Sequence, residues 1–252
     1  MSHEEAIYKY ALRLGDNALI QGNRLSEWCS KDPVLKKDSD LPNIALDNIG
    51  LAKAFLKYAT KIEGNRKTEH ELAYNRPAQQ FYNHQITELP NPDFTIIIAK
   101  QLFISAFEVH LFTALSQSTD ETIAAIAAVG LDDVRYHFIY SRYWCYSLSQ
   151  GLKSDLIKMQ QAIDNLWWYT GEFFEMAEED HLLLEAGISV DLTAIQLLWK
   201  ETVSAVLTEV KLQIPTEGLM QTGSRKGIHT EYLAPILTKM EYLQRSYPYA
   251  KW

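Results

Sequence analysis

The segment from Phe94 to Leu115, FTIIIAKQLFISAFEVHLFTAL, is apolar around nearly its whole circumference when wound as a helix. A helix with no polar face cannot lie on a surface and has to be surrounded. Ile44 to Ile62 has the same character. Two such segments demand several more helices to cover them. Neither is expected to cross a membrane. Lys100, Glu108 and His110 interrupt the first and leave Gln101 to Phe107 as its longest uncharged run, whereas a span needs ~18–20 largely apolar residues.

Start and stop signals supply the covering helices. Glu4 to Trp28 repeats Ile7, Tyr10, Ala11, Leu14, Ala18 and Leu25 at helical steps. Lys31 to Pro42, with Asp32-Pro33, is a polar loop, and a second helix follows from about Asn43 to Ile62, stopping near Glu63-Gly64-Asn65. Arg66 to Pro90 is less regular, with a short helix or two around Glu69 to Tyr74. Asn91-Pro92 has the form of an N-cap followed by a first-turn proline, predicting a helix to Ser116. Ser118-Thr119-Asp120-Glu121 fits a capping box and opens a helix to Gln150, ended by Gly151. Asp155 to Met176 is the next helix, with Glu178-Glu179-Asp180 as its solvated acidic end. Asp191 caps a helix to Leu212. After a loop from Pro215 to Gly227, Thr230 to Arg245 carries Leu233, Ile236, Leu237, Met240 and Leu243 on one face.

No stretch alternates with period two, and Gly 11 with Pro 8 is too few for a turn-rich β fold. The expectation is one all-α domain over residues 1–252: a four-helix bundle of the ferritin-like or haem-oxygenase-like kind with additional N- and C-terminal helices. The net charge of −8 excludes a non-specific nucleic-acid binder. Met1-Ser2-His3-Glu4-Glu5 lacks the basic-then-apolar order of a signal peptide, and Cys29 and Cys145 read as reduced, packed thiols. A cytoplasmic protein is expected.

A ferritin-like di-iron site makes a countable demand, a Glu from each of two helices and a Glu-x-x-His pair from each of the other two. Residues three apart share a helix face, so both reach the bundle axis. Of the seven histidines only His181 has a glutamate, Glu178, three residues before it, and that pair lies in the acidic run. No catalytic and no metal-binding residue is therefore assigned. Asp47, Glu108, Asp133 and His137 remain as a polar cluster inside the bundle, with Asn48 and His110 nearby in sequence. They are expected to pair with each other or with Arg135 and Arg142, since buried charge must be compensated, in preference to forming a residual metal site. Trp167-Trp168-Tyr169 and Tyr140, Tyr143, Trp144 and Tyr146 read as core or interface. Gly223-Ser224-Arg225-Lys226-Gly227, leading to His229-Thr230-Glu231 at a helix start, is the one compact basic feature and the first place to test for phosphate.

Tyr10-Ala11-Leu12-Arg13-Leu14-Gly15-Asp16-Asn17, Leu25-Ser26-Glu27-Trp28-Cys29 and Asn43-Ile44-Ala45-Leu46-Asp47-Asn48-Ile49-Gly50 make the chain resemble the non-catalytic C subunits of bacterial phenylacetyl-CoA epoxidases. Arg135-Tyr136-His137, Lys158-Met159-Gln160-Gln161-Ala162-Ile163, Lys226-Gly227-Ile228-His229-Thr230-Glu231 and Tyr242-Leu243-Gln244-Arg245 continue the likeness in order. The resemblance implies a ferritin-like structural subunit of the oxygenase that epoxidises the aromatic ring of phenylacetyl-CoA, without a cofactor of its own. Its implied partners are a homologous catalytic A subunit with the di-iron centre, a small B subunit, and a reductase using NADPH, flavin and an iron–sulfur cluster. It further implies contact of Arg225, Lys226, His229 and Glu231 with a partner or with CoA phosphates, and a homodimer when the chain is isolated. Ser105 and Glu108 stand where some members have Asp and His, and Ser224-Arg225 replaces Gly-Lys. Two other function classes stay open: a self-sufficient di-metal oxidoreductase, which would bind stoichiometric iron, and a helical adaptor unrelated to oxygenases.

Overall fold

The computed structural model describes residues 1–28, 40–64, 66–216 and 218–246; Cys29, Asp32-Pro33, Asn65 and the side chain of Leu243 lie outside what is described. Among the described residues the α-helices are, in chain order, α1 (His3–Ser26), α2 (Asp40–Ile62), α3 (Glu69–Tyr74), α4 (Gln85–Glu88), α5 (Phe94–Leu115), α6 (Glu121–Gln150), α7 (Lys153–Trp167), α8 (Glu178–Glu185), α9 (Leu192–Glu209) and α10 (Leu233–Ser246). No strand interrupts them within those residues, and the fold is an all-α bundle.

Helix α5 is the centre. By length and composition it could cross a membrane, but 78% of its most apolar window is buried inside the protein. Its N-cap is Asp93, whose carboxylate accepts the Ile96 amide at 3.1 Å, and not Asn91. Asn91 is turned inward instead, donating to the Arg24 carbonyl at 3.1 Å and accepting from Lys100 at 2.7 Å. Asp120 likewise displaces Ser118 as the cap of α6, accepting the Thr122 and Ile123 amides at 3.0 and 2.9 Å. An aspartate two residues on offers the same oxygen with a full charge beside the helix N-terminus.

Helix α1 runs along α2, α5 runs along α6, and α2 meets α6. Gln21 of α1 donates to Gln101 of α5 at 2.8 Å, which closes the four into a bundle. Close approach of α1 and α2 depends on missing side chains. A Cβ on Gly15 would lie 2.9 Å from Leu56, and one on Gly22 would lie 3.0 Å from the Ala45 carbonyl.

Helices α7 and α9 flank α5 through rings, with Phe103–Trp199 centroids at 5.8 Å, Trp167–Trp199 at 5.5 Å and Phe107–Phe173 stacked at 4.9 Å. To bring Phe173 inward, the chain leaves the expected Asp155–Met176 helix at Trp167 and forms a 3₁₀ turn over Thr170–Phe174. The acidic run also departs from expectation. It begins α8 instead of ending α7, so its carboxylates face a positive helix terminus.

Candidate functional site

Between α1 and α5, and between α5 and α6, buried polar side chains meet as neutral pairs. Besides Gln21–Gln101, the Ser105 and Ser141 hydroxyls lie 3.3 Å apart. Glu108 is the carboxyl among them, beside Gln21, His84 and Thr87. Burial alone pushes its pKa up to about 8, so it stays protonated at neutral pH, and one of its oxygens has no partner. Amides, hydroxyls and one neutral acid do not fit a di-metal centre, which needs several ionised carboxylates and two imidazoles. Among the described residues no group of three or more His, Cys, Asp or Glu is arranged to hold a metal, and Glu178 and His181 are both exposed.

The expected four-residue cluster is divided. Asp47 and His137 meet across α2 and α6 at 3.1 Å, and Asp133, one turn before His137, has its pKa raised by burial and then by the Asp47 charge. Glu108 is not with them. His137 is fully buried, and burial lowers its pKa more than Asp47 and Asp133 raise it. It is thus neutral, with Nδ1 lacking a partner. Arg135 and Arg142 do not compensate this pair, because both reach outward, to Asp132 at 3.3 Å and Glu209 at 2.8 Å. His110 bonds Thr202 at 2.8 Å, and Asn48 donates to the Ile44 carbonyl.

The basic loop is divided too. Gly227 has φ +71°, and a Cβ there would overlap the Gln79 carbonyl, so this turn is pressed onto the connection between α3 and α4. Arg225 and His229 point inward from it, while Lys226 and Glu231 are exposed; α10 begins only at Leu233. His229 donates from Nδ1 to Glu88 at 2.6 Å and from Nε2 to the Phe81 carbonyl at 2.8 Å. Using both nitrogens as donors requires the imidazolium. Burial opposes that charge, but the Glu88 carboxylate outweighs it and the pKa is raised. Glu88 also accepts the Asn83 amide at 2.9 Å and the Thr230 amide and hydroxyl at 2.8 and 2.6 Å.

Further bonds extend this network. Arg13 forms a two-pronged pair with Asp180, with one arm at 2.8 Å, and Asp16 does the same with Arg76, with one arm at 3.1 Å. Glu172 accepts the Gln85 and Ser224 amides at 2.8 and 3.0 Å. The Arg225 guanidinium lies 3.4 Å from His84 Nε2, and burial, then Arg13, lowers its pKa to about 9. His84 is driven well below the usual histidine range by burial and by both arginines. Sequence reasoning missed these pairs. The available signal was Arg13 and Asp16, two charges set among the apolar repeats of α1.

The surface carries a different feature. On α6, Val129, Tyr136, Ile139, Tyr143 and Tyr146 are exposed at helical spacing, Ile139 and Tyr143 by 63% and 62%. Exposed Leu46 of α2 lines the same groove as Val129, at the start of that stripe. Contiguous apolar surface on one helix face marks a place for another protein.

The family model for the phenylacetic acid catabolic protein matches residues 1–252. The C subunit of the 1,2-phenylacetyl-CoA epoxidase of Escherichia coli (strain K12) is 44% identical over 243 residues, covering 96% of this chain and 98% of that relative. On a match that spans the whole chain and a relative of this identity, the chain belongs to the phenylacetic acid catabolic protein family.

Proposed function

We propose that this chain is the structural subunit of a multicomponent oxygenase that epoxidises the aromatic ring of phenylacetyl-CoA in phenylacetate catabolism. It acts in the cytoplasm as one domain, holding a homologous catalytic A subunit in its working shape. The di-iron centre belongs to that subunit. NADPH, flavin and an iron–sulfur cluster belong to a reductase, and a small B subunit completes the assembly. The carrying observation is the α6 stripe of Tyr136, Ile139, Tyr143 and Tyr146, displayed by a bundle without metal ligands of its own among the described residues.

This chain's chemical contribution is packing. Its helices are tied by buried ion pairs and present a firm apolar face, on which a partner loses less freedom than on a soft one. Lys226 and Glu231 are the loop groups available to a partner or to CoA phosphates. Arg225 and His229 serve that contact by fixing the loop from inside.

Co-expression with the A subunit followed by size-exclusion chromatography tests the pairing. A stable complex is expected, with iron following the A subunit, and Ile139→Glu with Tyr143→Glu should abolish it. Stoichiometric iron on the isolated chain would instead support the self-sufficient oxidoreductase. No complex with the wild type would support an unrelated adaptor.

A further inference from the structure

Helices α2 and α6 leave an open apolar groove between them, about 530 Å³ in volume, walled by Leu46, Ala54, Ile126 and Val129 over Leu51. Two independent observations bear on what fills it.

The first is Gly50, which lies in the groove in the middle of α2. Glycine in an exposed helix interior is unfavourable beside alanine, so an internal neighbour normally explains it. Gly130, across the groove on α6, has such a neighbour, because its missing Cβ would lie 2.6 Å from Leu51. Gly50 has none: nothing in the described chain lies within 4 Å of where its Cβ would be. Among the described residues nothing uses the gap, which leaves room for something arriving from outside.

The second is charge. Asp47 and Asp133 line the same groove. Burial, then the Asp47 charge, raises the Asp133 pKa, so the two carboxylates oppose each other. His137 between them is neutral, and Arg135 is engaged by Asp132. Among the described residues no Lys or Arg forms an ion pair with either carboxylate.

We propose that this groove receives a helix of the pairing A subunit, seated with a small residue against Gly50 and delivering a Lys or Arg to Asp47 and Asp133. A groove between two helices accepts a third by ridge-into-groove packing. A second copy of this chain is the poorer occupant, since a two-fold contact over the groove would bring two more aspartates to the same place. This proposal rests on the pairing proposed above and adds its geometry and its charge.

The test measures binding of the full-length chain to the immobilised A subunit by interferometry, with wild type, Gly50→Leu and Asp133→Lys run together. Each substitution should weaken binding about tenfold or more, as expected at a buried interface centre. The melting temperature of isolated Gly50→Leu should be unchanged or higher, since leucine is the better helix former. Wild-type affinity should fall with added salt, and the Asp133→Lys complex should lose part of that salt dependence. Wild-type binding with both variants within about twofold of it would overturn the groove while leaving the pairing intact. No wild-type binding would overturn the pairing itself, and the groove with it. A homodimer of the isolated chain that Gly50→Leu abolishes would make the occupant a second copy and overturn the proposal.

Discussion

His229 and Glu88 stand 141 residues apart in the chain and meet imidazole to carboxylate at 2.6 Å, with the Glu88 side chain wholly buried. Removing one partner of a buried pair leaves the other uncompensated, so His229→Ala should lower stability by ~3–5 kcal/mol. The pH dependence has a defined sign. His229 has a raised pKa in the folded state, so its contribution is complete below the ordinary histidine value of 6.5 and is lost as pH rises through the raised one. The gap between wild type and His229→Gln, measured by urea unfolding, should therefore be wider at about pH 6 than at about pH 9.

Arg13 and Asp180 give the acid-side counterpart. Burial acts to raise the Asp180 pKa, but Arg13 outweighs it and the folded value lies below the ordinary one. Its stabilisation is present above the ordinary aspartate range and is lost as pH falls through the lowered value. Asp180→Asn should cost ~3–5 kcal/mol near neutrality and much less in acid, as read by chemical denaturation across pH.

Glu108 should behave in the opposite sense. Burial raises it from 4.5 to about 8, so the folded protein holds a proton that the unfolded chain releases. Wild-type stability is therefore lost as pH climbs through that window, with a slope of up to ~1.4 kcal/mol per pH unit. Glu108→Gln keeps the shape without the titration. Its unfolding midpoint should overtake the wild type's progressively between about pH 5 and pH 8. Parallel curves for the two proteins would refute the buried acid.

Two glycine-to-alanine substitutions should differ in sign. Gly50→Ala should stabilise the isolated chain by about 1 kcal/mol, since the position is helical and nothing opposes a methyl. Gly227→Ala should destabilise it by ~1–3 kcal/mol or more, because φ is +71° and the Gln79 carbonyl occupies the space. Thermal melts of the two variants make the comparison.

The fold was legible because its strongest determinants are local. Apolar segments without a polar face announce the centre of a bundle, and Asp191 and Gly151 mark helix ends as sequence rules expect. Asn91 and Ser118 misled because an aspartate two residues later was the better cap in each case. The buried network was illegible for a different reason. Glu178-Glu179-Asp180 looks like a solvated run, and nothing nearby shows that Asp180 turns in to meet Arg13, 167 residues away. Arg225 misled likewise. Flanking glycines suit an anion cradle, but here they let the loop lie close enough for its guanidinium to reach His84. Local patterns show where helices begin, whereas the pairing of distant charges depends on the finished packing.

The span between Glu88 and His229 also sets an order of events during synthesis. At ~5–20 residues per second, the codon for His229 is translated roughly 7–28 s after that for Glu88, the two being 141 residues apart. Asp16 can meet Arg76 early, but Glu88 and Arg13 emerge long before the groups that neutralise them. A nascent chain can therefore gather its first helices without locking them. Only late in translation does the bundle receive its last internal counter-ion, so a ribosome stalled before residue 229 would carry an unlocked and readily proteolysed product.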